Sequence, residues 1–580
     1  MENNLNNEIQ LSGIPNNIPV EINKVKYNSA YVYKIIIGKN GEQPFESGKL
    51  HIAVSVSGSE AQGRWFPTTR QYDRAVHQTW NSENQTSYMN GAPIYSYYRQ
   101  DDSNILTVAA DDSFITWQIC SGVDEPSQQI SFDISSEFIN CDVVNVNLLV
   151  DRSDCPYYQA IQNAARWWAE NRGSNQYIPE CAYEPVYSTW YAFQRSVDAE
   201  SILSQCRTAV EYGCRTLIID DGWAAPIDTC YYEDSGDWKP NREKFPDIRS
   251  FVDEIHKLGM KAILWIAPGL SGFNSRSNEL YRGKFISSND WLRMSILDIR
   301  YPEIRSRLCG DVCRIVENYK FDGVKIDFID SIHAPDCEPD QDRDCTSVSN
   351  ALRDMLGCIH SNLMKCNPEV MIEYRQNYCG PDVITNANIV RGSDCAQDYL
   401  SNRLNTIDLR LYTNAAVHSD MVQFIYNDTP ESTALQLTNI LFSTPQISPR
   451  FEYLSDDQKK VLKFWLDFMS RKRELLQKSS FEPSRCYMNY PSVTVRNQNE
   501  RLTALYGEQL LILDKITPNI YIVNAYTRAP IYVGSSNTYE TEYQLLNCMG
   551  EETGRGTIRL EPSPKAVNIP FNGMMILRSQ

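Results

Sequence analysis

Two short apolar runs end in charges that a buried strand has no ordinary reason to hold. In Val324-Lys325-Ile326-Asp327-Phe328-Ile329, the period-two alternation of a strand sets Val324, Ile326 and Phe328 on one face and Lys325, Asp327 and Ile329 on the other. The apolar set packs against neighbours. Lys325 and Asp327 then face a low-dielectric interior, where ionised groups are costly unless they are paired or in use, and a plain Lys-Asp ion pair is the bland alternative. The second run, Leu217-Ile218-Ile219-Asp220-Asp221-Gly222-Trp223, stops in adjacent carboxylates, a Gly and a Trp. Carboxylates accept hydrogen bonds from hydroxyls and an indole covers an apolar ring face, which suits a polyhydroxylated ring. Helix capping by Asp is the bland reading there.

A third run, Val390-Arg391-Gly392-Ser393-Asp394, delivers another Arg and Asp. Asp398 and Asp408 follow, within reach of capping or of Arg403 and Arg410, and Asp398 is near enough to Asp394 to rival it. Trp190 and Trp265 end two further runs. Two carboxylates on separate elements are what glycoside hydrolysis requires. One attacks or stabilises an oxocarbenium-like centre and the other protonates the leaving oxygen. Asp327 and Asp394 are the best placed. Lys325 favours an ionised Asp327, as a nucleophile needs, whereas an acid role at Asp394 calls for a raised pKa.

The elements that must hold these residues alternate in type. Val186 to Phe193, Thr216 to Trp223, Lys261 to Pro268, Gly323 to Ile329, Val370 to Gln376, Ala387 to Ser393, Asn414 to Met421 and Ile440 to Ile447 read as strands. Helical stretches separate most of them, including Asp198 to Tyr212, Ile248 to Leu258, Ile304 to Tyr319, Ser347 to Cys366 and Ser401 to Leu411. Eight such units predict a (β/α)8 TIM barrel, whose sites lie at the C-terminal ends of its strands. An open doubly wound sheet competes, but no GxGxxG opens a first turn. A helix over Ser455 to Gln477 closes the barrel. Before it, short Val-, Ile- and Tyr-rich segments predict an antiparallel β-sandwich, and the helix Asp154 to Gly173 marks the transition. After Ser479, segments such as Ser492 to Val495 and Ile520 to Ala525 predict a small antiparallel β domain. The expected domains are residues 1–155, 156–478 and 479–580. The chain of 580 residues thus divides into three units, fewer than its length suggests, because the barrel is large.

Composition narrows the partners. A net charge of -18 repels phosphate backbones and anionic lipid, which excludes nucleic acid and membrane surfaces and leaves neutral small molecules. The six histidines form no short-spaced pair, and Cys309 and Cys313, one helical turn apart, lack a CxxC companion, so no metal is expected. The Asn-rich N-terminus has neither a basic nor an apolar signal region, which predicts a cytoplasmic protein.

Taken in order, Asp220-Asp221-Gly222-Trp223, Leu297-Asp298 with Pro302-Glu303-Ile304-Arg305, Lys325-Ile326-Asp327, and Arg391-Gly392-Ser393-Asp394 resemble the motif series of glycoside hydrolase family 36, largely retaining α-galactosidases. The resemblance implies that Asp327 is the nucleophile and Asp394 the acid/base. It implies that Asp220 and Asp221 hold the 4- and 6-hydroxyls of galactose, that Lys325 and Arg391 reach other hydroxyls, and that Trp190, Trp265 and Trp223 line the pocket. Trp65 resembles an N-terminal aromatic that reaches over the barrel mouth, and Cys379 with Gly380 resembles the family's contacts to the 2-position. No metal or organic cofactor is implied, the substrate is an α-galactoside oligosaccharide, and members often form homo-oligomers. The chain departs from the pattern in Glu373-Tyr374-Arg375-Gln376-Asn377-Tyr378-Cys379-Gly380-Pro381, where the family shows a Glu and then a Cys followed by a Gly-rich run and this chain lacks the glycines and inserts Arg375, and at Trp265-Ile266-Ala267-Pro268 in place of an aromatic-Glu-Pro type. The first departure leaves α-N-acetylgalactosaminidase activity open beside α-galactosidase. A raffinose-synthase-like galactosyl transfer and a catalytically silent sugar-binding protein are the other readings.

Overall fold

The computed structural model describes residues 8–39, 45–67, 73–141, 143–172, 177–226, 231–337 and 342–578. The eight apolar runs form eight short parallel strands: β1 (Val186–Ser188), β2 (Thr216–Ile219), β3 (Lys261–Ile266), β4 (Gly323–Ile326), β5 (Met371–Arg375), β6 (Ile389–Arg391), β7 (Ala416–His418) and β8 (Gln446–Ile447). Their order is β7-β6-β5-β4-β3-β2-β1-β8. Single bridges between His418 and Thr444, and between Val422 and Ile447, bring the two ends together, so the sheet is a nearly closed barrel.

The helices are α1 (Tyr157–Asn171), α2 (Ala199–Glu211), α3 (Ile248–Lys257), α4 (Pro302–Tyr319), α5 (Val348–Cys366), α6 (Tyr399–Tyr412), α7 (Pro430–Asn439) and α8 (Asp456–Arg471). Their starts follow from local chemistry. Asp198, Asp247, Ser347, Asp398 and Thr429 each accept a hydrogen bond from a free N–H of the first turn, and Ser455 forms a capping box with Gln458. Several boundaries differ from expectation: the run Val186 to Phe193 is a strand only to Ser188 and continues as a helical turn, Trp190–Phe193, and Ile440 to Ile447 is extended only at Gln446–Ile447. α1 begins after Pro156 with no side-chain cap, and Gly173 lies outside the described residues. The last barrel helix is broken at Lys472 into α8 and a short Arg473–Lys478 helix.

Ahead of the barrel, a five-stranded and a six-stranded antiparallel sheet share a core that includes Ile35, Ile52, Tyr95, Phe132 and Val146. Behind it lie a seven-stranded and a three-stranded sheet. Their pairing is antiparallel except where Glu500–Leu505 meets Asn519–Asn524 and Leu510–Leu513 meets Ile531–Ser535, which are parallel. Unanticipated from sequence is a small three-stranded sheet, Leu270–Gly272, Phe285–Asn289 and Met294–Leu297, inserted between β3 and β4. No helix among the described residues is long and apolar enough to cross a membrane.

Candidate active site

The barrel interior changes character along its axis. Val186, Ile218, Ile263, Met371, Ile389 and Ala416, one from each of six strands, form an apolar plug at one end. Full burial of such aliphatic side chains contributes about 1.5–3 kcal/mol each for the larger ones. Two residues further along each strand, the period of a β-strand brings Ser188, Asp220, Trp265, Glu373, Arg391 and His418 to the same side. Two residues further again come Arg375, Ser393 and Asp420, with Asp327 in step from Lys325. Apolar burial therefore holds a charged upper half in place, at the end where barrel sites form.

Asp327 lies one residue beyond β4, and its N–H still bonds the Ile266 carbonyl at 2.8 Å. Its Oδ1 accepts from Arg375 Nε at 2.8 Å, Tyr378 OH at 3.1 Å and the Phe328 N–H at 2.8 Å. Its Oδ2 accepts from Trp265 Nε1 at 3.0 Å. Phe328 turns the chain with φ +57°, a left-handed conformation uncommon for an aromatic residue. Burial pushes the Asp327 carboxyl up, but the Arg375 guanidinium, Lys325 and the Trp265 N–H outweigh it and hold the group well below the usual carboxylate range. Lys325 is not the direct partner of Asp327. Its Nζ bonds Asp220 Oδ2 at 2.5 Å across the barrel.

Asp220 and Asp221 are both buried. Asp220 Oδ1 accepts the Asp221 N–H at 2.9 Å, and Asp221 pairs with Arg195 Nε at 3.1 Å. Gly222 makes the second contact feasible: at φ +109°, a Cβ there would stand 2.6 Å from the Arg195 backbone. Burial raises the Asp221 carboxyl to about 6, opposed by Arg195 and reinforced by Asp220.

Asp394, at the end of β6, is the open carboxylate of the group, its side chain 61% exposed. Arg391 Nη2 bonds its Oδ1 at 2.8 Å. Arg391 itself is 1% exposed. It also donates to Asp420 and to the Gly392 carbonyl, and faces Glu373 at 3.8 Å. Glu373 is held by Gln446 Nε2 at 2.6 Å and His418 Nδ1 at 3.2 Å. Arg391 thus holds Asp394 from below, with its guanidinium tied to carboxylates from two other strands. Desolvation by the surrounding walls of the barrel mouth pushes Asp394 up although its carboxylate stays open on one side, but Arg391, Arg375 and Lys325 together draw it below the ordinary range, opposite to the shift an acid role calls for.

The other expected residues divide. Trp190 is half-buried just beyond β1, and Trp265 is the indole on Asp327. Trp223 is a correction: fully buried, it donates to the Trp265 carbonyl at 2.9 Å and supports Trp265 from behind. Trp65 is another. It has no exposed surface, and its Nε1 donates to Asp408 on α6 and to Tyr490, both at 2.9 Å, so it joins the N-terminal sheets to the barrel's outer helix and does not stand over the mouth. Cys379 is likewise buried, its thiol accepting from Tyr412 OH at 3.2 Å and so closed to a sugar. Asp398 caps α6 through Ser401 N at 3.0 Å, the bland reading of that residue. Asp408 pairs with Arg74 of the N-terminal sheets, not with Arg403 or Arg410.

Sequence reasoning missed three residues of the cluster. Arg375, half-way between Asp327 and Asp330, was visible only as a departure. Tyr378 had no signal beyond its type. Asp330, 3.4 Å from Arg375 Nη2, has a carboxyl raised by burial and opposed by Arg375. Among the described residues, no group of three or more His, Cys, Asp or Glu is arranged to hold a metal ion.

The solved structure of a variant of the GH36 α-galactosidase AgaA of Geobacillus stearothermophilus with 1-deoxygalactonojirimycin matches with a TM-score of 0.70, covering 99% of this chain and 84% of that one at 14% identity. An α-galactosidase of Thermus thermophilus, solved with p-nitrophenyl α-D-galactopyranoside, matches at 0.54 over 82% of this chain and 98% of that one, at 14% identity. At these identities the likeness speaks for the fold. Curated relatives match over shorter spans. The A type blood α-D-galactosamine galactosaminidase of Flavonifractor plautii is 27% identical over 180 residues, 28% of this chain and 16% of the relative. Alpha-galactosidase AgaA of G. stearothermophilus is 33% identical over 98 residues, 17% of this chain and 13% of the relative. The matched segments therefore span well under a quarter of those relatives. Residues 181–478, which take in all eight barrel strands and just over half of the chain, match the Melibiase family model, and the chain belongs to that family.

Proposed function

We propose that the protein is a retaining, exo-acting α-galactosidase acting on α-linked galactosides of the raffinose type. The observation that carries this reading is Asp327: an ionised carboxylate fixed by Trp265, Arg375 and Tyr378 at the C-terminal end of a Melibiase-family barrel strand. In the first step an Asp327 oxygen attacks the anomeric carbon, the glycosidic C–O bond breaks, and Asp394 gives its proton to the leaving oxygen. In the second, Asp394 takes a proton from water, the water oxygen bonds the anomeric carbon, and the bond to Asp327 breaks. Asp220 and Asp221 are suited to accept from galactose hydroxyls, with Lys325 fixing Asp220, and Trp190 and Trp265 supply apolar faces. A GH36 neighbour from G. stearothermophilus was solved in complex with raffinose, which supports the substrate class. The relative acting on galactosamine favours a second reading, in which the 2-substituent is an amine or acetamide.

The test is initial-rate hydrolysis of aryl α-glycosides differing at the 2-position and in leaving group, with the product anomer followed by NMR. Aryl α-galactoside is expected to turn over fastest and to release α-galactose first. Release of β-galactose overturns the retaining mechanism, and preference for the 2-acetamido sugar overturns the galactosidase reading in favour of the second. Asp394→Ala is expected to lose about a hundredfold or more on unactivated galactosides and far less on nitrophenyl ones. Equal losses assign the acid role elsewhere, with Asp330 the next carboxyl to substitute.

A further inference from the structure

Asp327 is held asymmetrically. Three donors converge on Oδ1, from Arg375, Tyr378 and the Phe328 backbone, and the Trp265 indole alone meets Oδ2. Arg375 is itself fixed on several sides. Nε points at Asp327, Nη2 lies 3.4 Å from Asp330, Nη1 donates to the Gln376 carbonyl at 3.3 Å, and the guanidinium stands 5.5 Å from the Tyr378 ring centre. Only 14% of the side chain is exposed. Such a guanidinium is a planar fork whose charge does not change as neighbours titrate.

We propose that Arg375 is a positioning residue that assigns different tasks to the two oxygens of Asp327 and sets the balance between the two halves of the reaction. The proposal rests on the galactosidase reading. Oδ1, anchored by three donors, becomes the carbonyl oxygen of the glycosyl-enzyme ester, and Oδ2 forms the bond to the anomeric carbon. When that bond forms, the negative charge on Asp327 is consumed, and the Arg375–Oδ1 contact weakens from ion pair to ion–dipole. When water attacks, the Oδ2–carbon bond breaks, its electron pair returns to the carboxylate, and the ion pair is restored. Arg375 therefore favours departure of Asp327 in the second half at the expense of its attack in the first. The charged and titratable groups around Asp327 are Lys325 with its partner Asp220, Arg375, Tyr378, Asp330 and Tyr232, with Asp394 beyond Arg375. Of these, Arg375 is the cation in direct contact.

The experiment compares full-length wild type, Arg375→Lys and Arg375→Met on a nitrophenyl α-galactoside, with thermal melts of all three. In the Met variant the loss of the guanidinium leaves Oδ1 with the Tyr378 and Phe328 donors alone. Its kcat is expected to fall about tenfold or more while the first turnover stays fast, so that nitrophenol appears in a burst. Intact-protein mass spectrometry should then catch the galactosyl adduct at steady state. Arg375→Lys keeps the charge without the fork and is expected to fall between the two. An active wild type with no burst and no adduct in the Met variant, or a change confined to KM, overturns the proposal alone. A wild type inert to every aryl α-galactoside overturns the galactosidase reading and this inference with it. Should the Met variant fail to fold, the burst and adduct of the Lys variant decide by the same criteria.

Discussion

Asp327 at the barrel mouth and Asp408 on α6 are built from the same parts. Each carboxylate accepts from one tryptophan indole, one arginine and one tyrosine: Trp265, Arg375 and Tyr378 for Asp327, and Trp65, Arg74 and Tyr490 for Asp408. The outcomes differ. Burial raises the Asp408 carboxyl, with Arg74 opposing, whereas Asp327 is drawn well down. Two features separate them. Asp327 has Lys325 as a second cation, and it keeps an open side, its side chain 11% exposed against 0% for Asp408. The trio of partners around a buried carboxylate thus marks an ordered acid, not a reactive one. Access and surplus positive charge make the difference.

The comparison breaks most readily at Asp327. Asp327→Gly is expected to lose activity on aryl α-galactosides by about a thousandfold or more while melting near the wild-type temperature, and azide is expected to restore part of the rate by forming β-galactosyl azide. Retained activity would place the nucleophile elsewhere. The converse holds for Asp408→Ala. Leaving Arg74 buried without its carboxylate is expected to lower stability by about 3–5 kcal/mol in urea unfolding, with activity per folded molecule preserved. A variant that stays stable yet loses turnover would make the two sites alike after all.

A third carboxylate sharpens the contrast with the smallest effect. Asp102 accepts the Arg485 N–H at 2.9 Å where the N-terminal and C-terminal sheets meet, and burial raises it to about 6, with Arg485 opposing. Its folded value exceeds the unfolded one, so the folded state holds the proton more tightly between the ordinary carboxylate value and about 6. Its contribution is present below that window and is lost as pH rises through it. Asp102→Asn should flatten the difference in melting temperature between acid and neutral pH; an unchanged difference would assign that pH dependence to other groups.

Much of this was legible in the chain. Barrel strands announced themselves as short apolar runs, and most helices as capped stretches, because both rest on local chemistry. Lys325 and Asp327 were legible because period-two alternation sends them inward whatever their partners. Partnership was not legible. Arg391 looked like a ligand-reaching cation, since its acids Asp420 and Glu373 come from other strands and converge only when the barrel closes. Lys325 looked like a partner of Asp327 because they are neighbours in sequence, yet it reaches across to β2. Trp65, Trp223 and Cys379 were misplaced for a related reason: residue type says nothing about whether an indole or a thiol ends beside a cavity or inside a seam. The parallel pairs among the C-terminal strands depend on crossover connections, which strand-forming composition does not encode.

The knot at Asp408 bears on how this chain can be cut. It ties Trp65 and Arg74 from before the barrel and Tyr490 from after it to one carboxylate on a barrel helix. The segment recognised by the family model, residues 181–478, contains that carboxylate but none of the three partners. Expressed by itself, it would leave that carboxylate and the face of α6 around it uncovered to water. The segment that homology recognises is therefore shorter than the stretch of chain needed to complete the surroundings of this one carboxylate.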